Sequence, residues 1–234
     1  MRLALVQFDV LRDQRSHNLA VARRMVQRAA ERVPAPDLIV LPGLCDTGTD
    51  PSGVRMITRA MCEGFAQSVA TLAREWGVWI CCGHAMMRDK RGGAVVTLFD
   101  PDGDTFVRSP RLSPVDVGQA VTCVRTPLGV IVAAPAAMVQ ASDQAVFSNV
   151  NLTIAAASAV SGEAAVLRRA RAGQYGDYLC VSSPSGGPTG SSVLNRAGKT
   201  LARVAAGQVA IAHADLPITH DAAVAVAQSE PKEH

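Results

Sequence analysis

The sequence reads as an α/β domain, and three observations predict it. Short aliphatic and β-branched runs, of which "DLIVLP" at Asp37–Pro42 is the clearest, alternate with longer stretches whose apolar residues recur at helical spacing. Of the 234 residues, 48% are hydrophobic but only 4% aromatic, so the core is built from small and β-branched side chains, which suits layered helices and sheets. Turn chemistry punctuates the runs, at Pro42-Gly43, at Asp100-Pro101-Asp102-Gly103 and at Pro127-Leu128-Gly129.

In chain order, Arg2–Phe8 reads as a strand. Asn18–Val33 reads as an amphipathic helix, with Leu19, Ala22, Met25, Val26 and Ala29 on one face. Asp37–Leu41 is the next strand, and Pro-Gly delivers its end to the rim of a sheet, where α/β proteins keep their chemistry. A long helix over Val54–Trp76 carries Met56, Ala60, Phe65, Val69 and Leu72 as a stripe and stops at Gly77, before a strand at Val78–Gly83. Ala94–Phe99 and Thr105–Arg108 form a hairpin around the Asp-Pro-Asp-Gly turn. After an irregular stretch come strands at Ala120–Thr126 and Val130–Ala134, a short helix at Met138–Phe147 and a strand at Val150–Ala156. A helix at Glu163–Tyr175 precedes strands at Tyr178–Ser182, Ser192–Asn195, Thr200–Val204 and Gln208–Asp215. Residues 1–216 make one domain, and 217–234, Ala-rich and then charged, read as a loose tail or a partner-docking segment.

Composition narrows the functions. The net charge of +3 comes from scattered arginines with no basic run interleaved with aromatics, so nucleic acid is not an expected partner. The N-terminal apolar run is too short for a signal peptide and no run of about 18 apolar residues follows, so no membrane is expected and the location reads as cytoplasmic. The six cysteines then read as reduced thiols. Cys81, Cys82 and His84 lie close in sequence, but alternate strand residues face opposite ways, so no metal site is expected. Ser191 and Ser192 lack the strained G-x-S-x-G setting of a serine nucleophile, and "GGPTG" lacks the Lys-Ser/Thr of a phosphate loop.

The pieces "LALVQFDV" with Asn18 beyond it, "LIVLP", the "FDPDG" hairpin, "TPLG", "RARAGQYGDYLCV" and "GSSVLNRAGKTLA" together resemble the carbon–nitrogen hydrolase family, the nitrilase superfamily. The likeness runs over roughly residues 2–216. It implies a four-layer α-β-β-α sandwich that pairs through helices into a dimer. It also implies chemistry by a cysteine nucleophile, a glutamate base and a lysine that offsets the developing oxyanion, with no cofactor.

This chain departs from that pattern at all three positions. Gly43 follows "LP" where the resemblance puts the glutamate, and no acid lies between Asp37 and Asp46. Arg111 is the nearest cation to the lysine position, and no lysine lies between Lys90 and Lys199. Ala136 or a close neighbour falls where the resemblance puts the cysteine, Ala137 and Met138 follow, and no thiol lies between Cys123 and Cys180. The expectation is a family member that has lost hydrolysis and serves in binding, scaffolding or regulation, as a homodimer or beside a related active hydrolase. Its pocket is expected to be wider and less charged than its relatives', and any ligand a small amide or carboxylate. Arg111 reads first as a solvated arginine, though its planar fork suits an anion. Cys45 and Asp46 are the candidates for a relocated nucleophile and acid in the alternative, a divergent amide hydrolase. His84 reads as a hydrogen-bonded structural histidine that could also line a pocket.

Overall fold

The structure, a computed structural model, describes residues 1–48, 57–88, 91–111, 121, 123–142, 144–157 and 174–218. Its elements are β1 (Arg2–Gln7), α1 (Arg15–Ala30), β2 (Leu38–Val40), α2 (Arg59–Trp76), β3 (Trp79–Arg88), β4 (Arg91–Phe99) and β5 (Thr105–Arg111) in the first half. The second half holds β6 (Cys123–Thr126), β7 (Gly129–Pro135), α3 (Ala136–Ala141), β8 (Leu152–Ala156), β9 (Tyr178–Ser182), β10 (Ser191–Asn195), β11 (Thr200–Val204) and β12 (Ala210–Asp215).

The strands form two six-stranded sheets, ordered β12-β1-β2-β3-β4-β5 and β11-β10-β9-β8-β7-β6. Each has a parallel centre, β1-β2-β3 in one and β7-β8-β9 in the other, with antiparallel strands outside it. Period-two alternation assigns the faces. Leu3, Leu5, Leu38, Val40, Cys81, Val96 and Leu98 meet Ile131, Leu152, Ile154, Cys180 and Val193 in the core between the sheets. The intervening Ala4, Val6, Ile39, Leu41, Ile80 and Cys82 pack outward against Ala22, Met25 and Val26 of α1 and Phe65, Val69 and Leu72 of α2. On the other side, Val132, Ala134 and Ala155 pack outward with Met138 and Val139 of α3. Burial on both faces explains why the central strands read as continuous apolar runs. Helix, sheet, sheet and helix are thus stacked, the sandwich that the resemblance implies.

Several boundaries differ from the sequence reading. Helix α1 starts at Arg15, a turn before Asn18, and stops at Ala30. Helix α2 starts at Arg59 because Thr58 caps it, its hydroxyl accepting the Met61 N–H at 3.2 Å; the expected start at Val54 lies outside the described residues. Strand β3 runs on to Arg88, paired along its length with β4. Strand β5 continues through Pro110 to Arg111, which an edge strand tolerates because a proline there forfeits no ladder donor. The expected helix at Met138–Phe147 is split: α3 begins right after Pro135, and a separate 3-10 turn covers Gln144–Phe147. Most of the expected helix at Glu163–Tyr175 lies outside the described residues. Leu216 exchanges backbone hydrogen bonds with Met1, and Ile218, placed in the tail by the sequence reading, is buried between the sheets.

Candidate functional site

Strand β2 ends in a tight turn over Gly43–Gly48 in which Leu44 takes a left-handed conformation, φ 47°, unusual for a branched side chain. Backbone hydrogen bonds hold the turn to β3: Leu41 N–H donates to Cys81 O at 2.8 Å and Cys45 N–H to Gly83 O at 2.9 Å. Asp46 is the anchor. Its side chain is 0% exposed, one carboxylate oxygen meets Arg15 Nη2 at 2.8 Å, and the other accepts the Ala85 N–H at 2.9 Å. Asn18 on α1 donates to the Asp46 carbonyl at 2.7 Å and also brackets Leu11.

Gly43 is pressed against the second sheet. A Cβ built on it would strike the Ala157 carbonyl oxygen and lie 2.7 Å from that carbonyl carbon. A Cβ on Gly83 would lie 2.8 Å from the Gly43 Cα and 3.3 Å from the Ala156 Cβ. Backbone therefore fills the space where a side chain at position 43 would begin. One hydrogen bond ties the two sheets here, Ser182 Oγ donating to Leu41 O at 2.8 Å, while Ala157 N–H donates to Ser182 O at 2.8 Å within the second sheet. Beside them Ser185 N–H donates to Phe8 O at 3.0 Å and the Ser185 hydroxyl bonds to Asp9.

Ala136 is the first residue of α3, directly after Pro135, which is in register with Ala156 on β8. It is 1% exposed and belongs to the same buried cluster as Ala157. Gly43 and Ala136 thus flank the Ala156–Ala157 backbone at one end of the crevice. Arg111 ends edge strand β5, in register with Ala94, rather than lying in a loop; its side chain lies outside what is described. At Gly43 itself the Ala157 backbone packs where a Cβ would begin. One expectation is corrected here. Cys45 and Asp46 do not meet as nucleophile and acid: burial pushes the Cys45 thiol far up, with the Cys82 thiol and Asp46 adding to it, while Arg15 and Ala85 occupy the Asp46 oxygens. Burial raises the Asp46 carboxyl too, against the opposing pull of Arg15.

His84, 2% exposed, is a structural histidine as read from the sequence. Its Nδ1 donates to Ala85 O at 2.9 Å, which fixes the proton there and leaves Nε2 facing Thr97 Oγ1 at 3.0 Å. The ring also backs a cavity of about 60 Å³ on the outer side of the first sheet, between the start of α2 and strands β3 and β4. Arg59 and Glu63 line it from the helix, and Met86, Met87 and Val95 from the strands; Cys45 and Asp46 do not reach it. Ser191 is buried in a network, donating to Gln7 Oε1 at 2.7 Å and accepting the Ser183 N–H at 3.0 Å, while Gln7 holds the Ala205 and Gln208 carbonyls. Among the described residues no three His, Cys, Asp or Glu side chains are grouped to hold a metal ion, and no helix is long and apolar enough to cross a membrane.

The residues that the sequence reading missed are Gly83, Ala157, Ser182 and Arg15. Gly83 carried a signal, a glycine inside an apolar strand, which marks close backbone approach. Arg15, Ala157 and Ser182 carried none, since their partners are distant in sequence.

With this geometry in hand, the comparisons are specific. The carbon–nitrogen hydrolase profile matches residues 2–134. Among solved structures, an amidase from Nesterenkonia sp. superposes with TM-score 0.77 at 18% identity, covering 93% of this chain and 90% of that one. A variant of the Nesterenkonia sp. AN1 amidase in complex with butyramide gives TM-score 0.77 at 19% identity, covering 93% and 91%. Another variant of that enzyme, bearing acrylamide added to its active-site cysteine, gives 0.77 at 19%, covering 93% of each. No curated protein matches the chain.

Proposed function

The chain belongs to the carbon–nitrogen hydrolase family, and from that premise we propose that it binds or regulates rather than hydrolyses. The carrying observation is the contact of the Gly43 backbone with Ala157, which leaves no room for a carboxylate base at the end of β2. Alanine at the first position of α3 supports the same reading, in which the group that would generate a thiolate and the group that would carry it are both lost. Losing a nucleophile or its base commonly lowers turnover by roughly 10⁴- to 10⁶-fold.

The relatives named above are amidases, so the substrates to try are simple amides, with nitriles and N-carbamoyl compounds beside them. Purified protein is expected to turn over none of them. Turnover that survives a thiol-blocking reagent would demand a different mechanism. Turnover abolished by the reagent would revive the divergent-hydrolase reading, with a relocated cysteine. A role beside a related active hydrolase is the other part of the proposal: native mass spectrometry of the protein from its source cells is expected to show a mixed oligomer, and a homodimer or a lone monomer would remove it.

A further inference from the structure

The cavity on the outer side of the first sheet has a composition of its own. Among the described residues its inner lining is mostly apolar, Cys62 and Ala66 on α2 and Ala85, Met86, Met87 and Val95 on β3 and β4. At its mouth stand Arg59 and Glu63, exposed and one helical turn apart. Opposite charges at that spacing readily pair, yet neither side chain has a hydrogen bond or ion pair among the described residues. His84 closes the back with its ring nitrogens already engaged, so it adds shape rather than a free polar group.

Size and charge together select the occupant. An engineered cavity of about 150 Å³ holds benzene, so about 60 Å³ takes a shorter hydrocarbon, such as a branched three-carbon group. A fully apolar molecule would leave both charges to water, and a singly charged one would satisfy only one of them. A zwitterionic head on a short aliphatic chain matches both, with apolar burial supplying the affinity and the two charges the orientation.

We propose that this cavity binds a small aliphatic α-amino acid, its side chain between Ala66, Met86 and Val95, its carboxylate on Arg59 and its ammonium on Glu63. The cavity shares no lining residue with the Gly43–Ala157 contact, so its occupancy does not depend on whether hydrolysis is lost.

The test is titration of the full chain with L-valine, read by methyl resonances of the methionines and by calorimetry. Saturable shifts at Met86 and Met87 are expected, with an affinity of roughly millimolar for so small a ligand. Isobutyrate and isobutylamine, each keeping one of the two head charges, are expected to bind about three- to tenfold more weakly, and Arg59→Gln or Glu63→Gln to weaken valine by a similar factor. Ala66→Phe fills the cavity and is expected to abolish binding; the two charge variants are exposed and carry the test if that variant does not fold. The assignment is overturned if valine leaves Met86 and Met87 unmoved up to its solubility limit. It is equally overturned if isobutyrate or isobutylamine binds as well as valine does, or if both charge variants bind valine unchanged.

Discussion

The two sides of the first sheet handle missing bulk in opposite ways. On the inner side, at the rim of the crevice, Gly43 and Gly83 present no side chains; the Ala157 backbone packs onto Gly43, and Gly83 meets the Gly43 backbone and the Ala156 methyl. On the outer side, a few residues along β3, side chains stand between helix and strands, and a gap of about 60 Å³ stays open. Large-to-small changes inside a rigid core usually leave a void because the surroundings relax only in part. At the rim the facing element is the end of a strand, and backbone can meet backbone when no Cβ intervenes. A glycine at a strand end therefore does not imply an empty space beside it.

The sharpest way to break this comparison is at the anchor of the inner rim. Asp46→Ala leaves Arg15, 13% exposed, without its partner and the Ala85 N–H without an acceptor. The expected loss is about 3–5 kcal/mol in urea unfolding; a loss below about 1 kcal/mol would show that the turn is not held this way. Next is Gly43→Glu, which places a Cβ against the Ala157 carbonyl. It is expected to cost about 3 kcal/mol by overpacking, and Gly43→Glu combined with Arg111→Lys and Ala136→Cys is expected to give no amide hydrolysis in a product assay. A stable, active triple variant would mean that the rim opens easily.

Ser182→Ala removes the hydrogen bond that crosses the crevice to Leu41 and is expected to cost about 1 kcal/mol, again by urea unfolding. The smallest effect lies far from both regions, on edge strand β12. Burial, then Arg32 and Arg2, lower the His213 pKa. The folded state therefore binds this proton less tightly than the unfolded chain does. That contribution to stability is present above the ordinary histidine pKa and is lost as pH falls through the lowered folded value. His213→Gln is expected to flatten the fall in urea midpoint between about pH 7 and pH 5, and an unchanged slope would exclude His213 as its source.

The strands around "LIVLP" and "FDPDG" were legible in sequence because burial on two faces, or a tight turn, leaves a pattern within a few residues. Helix α2 was legible in type but not in its start, because its cap at Thr58 is one ordinary threonine among several. The split of α3 from the 3-10 turn at Gln144–Phe147 was not legible, since an Ala-rich stretch suits one helix as well as two short pieces. At the site, the reading of Gly43, Arg111 and Ala136 at the three family positions rests on residue types alone. The contact at Gly43 was not legible, because it depends on Ala157 and Ser182 arriving from the second sheet.

By itself the sequence determined the layering, through apolar periodicity, and the identities of Gly43, Arg111 and Ala136, on which the proposed loss of hydrolysis rests. Tertiary structure decided what packs against Gly43 and where room remains on the outer side. The first joins segments more than a hundred positions apart, the second a helix to two strands, and local residue order encodes neither.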